Sequence, residues 1–495
     1  MKRSAPFHFG PPSAMFTLYR RHRAYAPKPK KDLTVGPILP KLIAFCLPLM
    51  LSGMLQLLYN ATDMIVLGQF ADETAVGAVG SCAALINLIV NLFIGLATGV
   101  SVSVAQFVGA KRDQDVSEVV HTAVSLSLII GVVVGAFGFF FSEMALSYVI
   151  NPELKATMSE AVPYMRAYML GIPGMMVYNY CAAALRAKGD SVRPLVFLGI
   201  SGLSNVLMNL WMVIGFGLGA VGVGIATAVS QYLAAAMILV YMTCFVKDSC
   251  RLSLRHLTIK WEKVRLMLRI GIPAGVQGLL FSFSNVLIQS SIQSFALESL
   301  VNGNAAASNI DGFVYIVQNA AYQGAITFVG QHVGARKYQR INRVVFSCLA
   351  FSLVTGVLAG AIVLSFGRSL LAFFVSEAAA IDYAMLRMLV IVSTYFLCGF
   401  MEVACGALRG MGKTFLPMIV SLAGACGIRI IWLMTIFRWM METPTFTTEQ
   451  RIICLFVSYP VSWLITMVAQ FICFAIVKRQ MERNDAVLPP AVEQE

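Results

Sequence analysis

The chain has 495 residues, of which 58% are hydrophobic and only 12% are charged, and its mean hydropathy is +0.77. A soluble globular protein carries roughly a quarter charged residues, so this composition excludes a water-soluble fold of the whole chain. The net charge of +13 does not indicate a nucleic-acid partner, because the basic residues lie in loops beside apolar segments and not on one face of a folded domain.

Long apolar segments predict an all-α polytopic membrane protein. A helix crosses a bilayer with about 20 apolar residues, and only helices or closed barrels satisfy their backbone hydrogen bonds in lipid. The segments lack the alternation of polar and apolar residues that barrel strands show, so helices are expected. In chain order the predicted helices are 40–69, 76–106, 119–141, 161–186, 192–214, 219–246, 264–295, 302–333, 344–366, 383–409, 414–437 and 450–477.

The twelve predicted helices divide into two lobes. No secretory signal is apparent in the first forty residues, so the first helix is expected to direct membrane insertion. The predicted parts are a basic, disordered N-terminal tail (1–38), an N-lobe of helices 1–6 (39–246), a cytoplasmic linker (247–263), a C-lobe of helices 7–12 (264–478) and a C-terminal tail (479–495).

The distribution of Lys and Arg predicts the orientation. If both termini are cytoplasmic, 30 of the 37 basic residues lie in cytoplasmic segments, and only four lie in outer loops. This bias agrees with the positive-inside rule at every loop, whereas a miscounted helix would invert it halfway along the chain.

An internal repeat relates the two halves. The offset between matched positions is 225 residues for two groups and 223 for the third. The matches are 105–112 with 330–337, Pro48, Gly53 and Asn60 with Pro273, Gly278 and Asn285, and 184–189 with 407–412. Because six helices is an even number, the halves share one orientation, which predicts a parallel pseudo-twofold repeat around a central cavity.

Polar side chains at membrane depth mark a candidate ion site in the N-lobe. Asp63 is predicted about 10 Å below the outer boundary, and Asn60 shares its helix face. Asn205 and Asn209 on helix 5 and Thr227 on helix 6 are predicted at similar depth. A carboxylate there requires a proton, a cation or a basic partner, so we expect coupling-ion binding, with Na⁺ at Asp63, Asn205, Asn209 and Thr227 as one candidate. Ordinary interhelical hydrogen bonding is the alternative for the Asn and Thr side chains.

A second polar set is predicted in the C-lobe and comprises Asp311, Glu402 and Arg429. A pair between Glu402 and Arg429 is expected, because an isolated arginine at that depth is costly. A structural salt bridge is the preferred explanation of that pair over substrate binding. Arg166 and Arg387 lie near the outer ends of their helices and are expected to extend to the interface, without a function.

Catalytic motifs are absent from the sequence. No HExxH, GxSxG or clustered His/Cys spacing is present. We therefore expect a protein that is not an enzyme and has no cofactor, with transport driven by an ion gradient.

The sequence resembles the multidrug and toxic compound extrusion (MATE) transporters of the bacterial type over nearly all of residues 36–480. The segments that carry the resemblance are 48–53 (PLMLSG) with 59–63 (YNATD), 105–111 (AQFVGAK), 185–190 (LRAKGD) with Pro194, and 222–231 (GVGIATAVSQ). The resemblance implies export of amphipathic, often cationic compounds in exchange for Na⁺ or H⁺, with Asp63 as the coupling residue. It also implies a multi-pass protein of the bacterial plasma membrane, and a monomer is expected.

One position departs from the family pattern. Many relatives have Asn-x-x-x-Asp on helix 5, whereas this chain has Asn205 and Asn209. The site then holds one carboxylate instead of two, so Na⁺ coupling and H⁺ coupling both stay open.

Two other functions are alternatives to multidrug efflux for this sequence. A lipid-linked oligosaccharide flippase of the same superfamily would need a basic cavity, but the predicted spans hold few cations, with Arg429 the main exception. A membrane-embedded enzyme or receptor would need a catalytic cluster or a sizeable soluble domain, and neither is apparent.

Overall fold

The computed structural model describes residues 32–150 and 155–487, which form helices and connecting loops with no strand. Its twelve long helices confirm the predicted all-α fold. They are α1 (Ile38–Phe70), α2 (Glu73–Gly109), α3 (Asp113–Ser147), α4 (Lys155–Ala187), α5 (Val192–Gly215), α6 (Gly219–Phe245), α7 (Trp261–Gln293), α8 (Glu298–Gly334), α9 (Tyr338–Ser365), α10 (Ala378–Ser393 and Tyr395–Gly410), α11 (Phe415–Glu442) and α12 (Thr448–Val487).

Two boundaries extend beyond the predicted lobes. Helix α7 begins at Trp261, inside the predicted linker, and α12 continues to Val487, inside the predicted C-terminal tail. Residues 1–31 of the predicted N-terminal tail lie outside the described residues, whereas Asp32–Gly36 are described and precede α1.

Nine of the helices in the described part of the chain are long and apolar enough to cross a membrane. Helix α10 crosses as two segments bent by 44° at Thr394. The remaining two, α4 and α8, are less apolar, because each is enclosed by other helices and most of its residues contact protein.

The two lobes meet through few helices. Helices α1–α6 form one lobe and α7–α12 the other, and contact between them is made mainly by α2 against α7 and α8 and by α1 against α8. The closest approach pairs Gly334 of α8 with Gln106 of α2, where a Cβ on Gly334 would lie 1.9 Å from Gln106 O. Since the α2–α7 and α1–α8 contacts are equivalent under the repeat, the interface has pseudo-twofold symmetry.

We call the side of the molecule where α1, α3, α5, α7, α9 and α11 begin the basic face. Among the described residues, every hydrogen bond and ion pair between the lobes lies between this face and mid-helix. The bond farthest from the face joins Asn91 Nδ2 to Ser282 Oγ over 3.4 Å, halfway along α2. The polar contacts therefore hold the lobes together on the basic-face side of their interface.

Two glutamines close the basic face symmetrically. Gln106 Nε2 of the N-lobe donates to Gly410 O of the C-lobe over 2.9 Å. Gln331 Nε2 of the C-lobe donates to Ala187 O of the N-lobe over 2.8 Å. Each bond satisfies a carbonyl at a helix C-terminus, where no backbone partner is available. We call these two bonds the glutamine clasp.

Candidate coupling and substrate site

The carboxylate of Asp63 lies in the N-lobe, two turns from the end of α1. Asn209 of α5 donates a hydrogen bond from Nδ2 to Asp63 Oδ1. One turn before Asp63 in α1, the Tyr59 hydroxyl donates to Gly199 O over 3.2 Å. The Tyr59 ring packs against Gly202, where any added side chain would clash with it. These contacts fix α1 against α5 and so position the acid against the amide.

Asn209 extends the contact into a chain of polar side chains. Its Nδ2 also lies 3.4 Å from Asn205 Oδ1, and Asn205 Nδ2 donates to Thr227 Oγ1 of α6 over 3.4 Å. The structure thus brings together Asp63 and three of the other predicted residues. Asn60 does not join them, because it is exposed and its side chain makes no hydrogen bond among the described residues.

Asp63 has no permanent basic partner. Across the described parts of the chain, no Lys, Arg or His lies within ion-pair distance of its carboxylate, which is half-buried. Asn205 and Asn209 are buried. A carboxylate in such surroundings is stabilised by a proton or a small cation, and neither is fixed by the fold.

The side chains offer the oxygen atoms that a Na⁺ ion would need. Asn209 Oδ1 is buried and accepts no hydrogen bond. Rotating this amide by 180° would exchange its oxygen and nitrogen and direct the oxygen toward Asp63. Oxygens of Asp63, Asn205 and Asn209 would then lie around one point, a donor set that suits a hard cation, whereas Thr227 Oγ1 contacts the Asn205 amide nitrogen. With the amide as it stands, its N–H group donates to the ionised acid instead.

Two tyrosines of α4 complete the surroundings of the acid. The Tyr164 and Tyr168 hydroxyls lie near Asp63, and their rings are 6.4 Å apart. These tyrosines were not singled out from the sequence, because aromatic side chains are common in apolar spans. Aromatic rings beside an acid are suited to organic cations, which they attract through their π-faces.

The predicted C-lobe residues do not form one site. Asp311 pairs with Arg387 over 2.7 Å, and the side chain of each is only 9% exposed. Arg387 also donates to Asn304 O over 2.8 Å. The prediction that Arg387 extends to the interface is therefore wrong, because the α8 carboxylate holds the guanidinium inside the lobe. Arg166 is 38% exposed and lies 3.6 Å from Glu143.

The expected pair between Glu402 and Arg429 is also wrong. Arg429 turns toward α12, where its Nε donates to Ser462 Oγ over 3.0 Å and its guanidinium stacks 4.2 Å from the Tyr459 ring centroid. Glu402 is buried and has no ion-pair partner among the described residues. The helix assignments placed both residues within helices, but they could not show the side of the helix that each residue faces.

Comparison with known proteins yields one family. The MatE family model matches residues 48–211 and again residues 273–435, which reproduces the internal repeat. The chain is 25% identical over 453 residues to the probable multidrug resistance protein YoeA of Bacillus subtilis, covering 89% of this chain and 94% of that protein. It is 26% identical over 413 residues to the probable multidrug resistance protein NorM of Thermotoga maritima, covering 81% and 86%.

Solved structures share the fold. One, described as the outward-facing conformation of a multidrug resistance MATE family transporter, superposes with a TM-score of 0.83 at 18% identity. The match covers 92% of this chain and 99% of that one. The architecture of two six-helix lobes is therefore common to both.

Proposed function

Because the chain belongs to the MatE family of multidrug efflux transporters, we propose that it is a secondary active antiporter. It exports amphipathic, often cationic organic compounds across the bacterial plasma membrane in exchange for H⁺ or Na⁺, with both termini in the cytoplasm. The observation that carries the proposal is Asp63, an acid inside the N-lobe that accepts a hydrogen bond from the Asn209 amide and that no basic side chain among the described residues neutralises.

The proposed cycle alternates the neutralising partner of Asp63. When a proton or Na⁺ is bound, the acid carries no net charge and attracts no organic cation. When the ion leaves, the burial of an uncompensated charge favours entry of a cationic substrate beside the acid. The coupling ion and the cationic substrate compete for the single charge of Asp63. Each rearrangement of the lobes therefore moves only one of the two across the membrane, as antiport requires.

The lining of the site fits substrates of this class. Tyr168 is half-buried near the acid, whereas Tyr164 is buried behind it in the core. A delocalised organic cation that reaches the Tyr168 ring gains both contact area and cation–π attraction. Contacts of this kind constrain charge and flatness more than shape, which is consistent with a broad substrate range.

The flippase alternative is less well supported. A diphosphate headgroup would need unpaired cations in the cavity, but the buried arginines of the C-lobe are engaged elsewhere. Arg387 pairs with Asp311, Arg409 Nη2 donates to Gln277 Oε1 over 2.9 Å, and Arg429 contacts Tyr459.

An accumulation assay with a fluorescent cation separates these functions. Cells expressing the chain should hold less ethidium than cells with an empty vector. A protonophore should abolish the difference if H⁺ is the coupling ion, and a Na⁺ ionophore should abolish it if Na⁺ is. Equal dye accumulation in both cell lines, with the protein shown to be in the membrane, would contradict the proposal.

A further inference from the structure

A groove of about 600 Å³ lies on the basic face, far from the Asp63 site at the other end of α1. It runs between the start of α1 and the first turns of α9, so one wall belongs to each lobe. The N-lobe wall consists of residues 36–40. The C-lobe wall consists of Arg340, Asn342, Arg343, Phe346 and Ser347. This volume is within the range of ligand-binding pockets.

The polar part of the groove is cationic and lacks any acidic side chain. Arg343 is exposed and forms no ion pair or side-chain hydrogen bond with any described residue. Arg340 binds the opposite wall, donating from Nη1 to Thr34 O over 2.8 Å and from Nη2 to Gly36 O over 2.7 Å, which leaves its buried Nε without a partner. One free guanidinium, with the Asn342 amide nearby, suits an anion with several oxygens.

The rim of the groove is apolar and exposed. Phe346 is 72% exposed and lies one turn after Arg343, so the two side chains occupy the same face of α9. Leu39, at the start of α1, is 43% exposed on the opposite wall. An anionic lipid presents a charged headgroup next to apolar acyl chains. An anion site bordered by apolar side chains at the end of a membrane helix matches this order.

We propose that this groove binds the phosphodiester headgroup of one anionic phospholipid, with its acyl chains against Phe346 and Leu39. A free phosphate would use Arg343 but gain nothing from the apolar rim. A zwitterionic lipid brings its own cation and would compete with Arg343 for the phosphate. Since the walls belong to α1 and α9, the bound lipid connects the two lobes at the basic face.

Native mass spectrometry of the purified full-length protein tests the proposal directly. Phosphatidylglycerol is titrated into wild type, Arg343→Gln and the control Arg265→Gln, which removes another exposed arginine of the basic face. Arg343→Gln should bind the first phosphatidylglycerol about five- to tenfold more weakly than wild type, because one arginine–headgroup contact is lost. Arg265→Gln should bind like wild type.

The source of the phosphate is tested in the same titration. Phosphatidylcholine should bind the wild type more weakly than phosphatidylglycerol, and soluble glycerol phosphate at equal concentration should not displace the lipid. Phe346→Ser should also weaken phosphatidylglycerol binding. Equal binding by wild type and Arg343→Gln would overturn the proposal, as would equal binding of the two lipids or displacement by glycerol phosphate.

Discussion

At the scale of residues, two buried aspartates differ in what surrounds them. Asp311 faces Arg387, so its charge is compensated by the fold, whereas Asp63 contacts the Asn209 amide and has no basic partner in the described part of the chain. The Asp311–Arg387 pair is a permanent part of the folded lobe, whereas Asp63 requires a bound proton or cation that can dissociate. Sequence inspection identified both acids, because carboxylates are rare at membrane depth, but it could not identify their partners.

Removing one member of the buried pair should destabilise the protein. Asp311→Ala leaves the guanidinium of Arg387 buried without a counter-charge, which costs about 3–5 kcal/mol. The exposed pair between Arg368 and Asp382 has the same 2.7 Å separation and provides a matched control, because solvent screens it. Thermal unfolding of the purified variants should show a clear loss for Asp311→Ala and little change for Asp382→Ala. Equal losses would mean that the burial of the pair has no energetic consequence.

Restoring the acid that many relatives carry should change ion binding. Asn209→Asp places a second carboxylate against Asp63, where two negative charges attract Na⁺ more strongly than one. Isothermal titration of the purified protein should show tighter Na⁺ binding than in the wild type, by about tenfold for each 1.4 kcal/mol gained. An unchanged Na⁺ affinity would show that these oxygens do not face a common ion.

At the scale of elements, apolar length predicted the helices well and their faces poorly. All twelve helices and the repeat follow from composition and spacing, since a bilayer-spanning segment has a minimum length. The bend at Thr394 and the π-helical turns Leu422–Gly427 and Leu433–Phe437 in α11 were not predicted. Such irregular turns shift the direction of later side chains, which explains why Arg429 points to α12 and not to Glu402.

The glutamine clasp was also missed, although its two segments defined the repeat. Sequence similarity shows that Gln106 and Gln331 occupy equivalent positions, but it does not show that each reaches the other lobe. These two bonds connect the lobes at the basic face and so favour its closure.

Breaking the clasp should shift the conformational equilibrium. The double variant Gln106→Ala/Gln331→Ala loses two hydrogen bonds, worth about 0.5–1.5 kcal/mol each, from the state with a closed basic face. Spin labels at the exposed, equivalent positions Gln114 and Gln339, in a background with Cys244 and Cys473 replaced by Ala, should then show a larger population of long distances.

A control variant separates this effect from general destabilisation. Gln470→Ala removes a buried hydrogen bond of 2.8 Å to Ser421, within the C-lobe. Its distance distribution should match that of the wild type. If the double variant also matches the wild type, the clasp does not hold the basic face closed.

At the scale of the whole molecule, the two lobes share a scaffold but not their chemistry. The repeat offset that aligns Asn60 with Asn285 places Ile288 opposite Asp63, and Ile288 is only 2% exposed. The C-lobe position equivalent to Asp63 therefore holds no acid. The buried C-lobe acid without an ion-pair partner among the described residues is Glu402, which lies on α10 instead.

Antiport by this mechanism requires Asp63 to gain and lose a cation during each transport cycle. The most direct test is dye transport against a concentration gradient in proteoliposomes with an imposed H⁺ or Na⁺ gradient. Asp63→Asn should fold, as judged by thermal unfolding, but should transport no dye uphill, whereas the exposed-site control Asp382→Asn should transport like the wild type. Uphill transport by Asp63→Asn at the wild-type rate would show that Asp63 does not couple the ion gradient to transport.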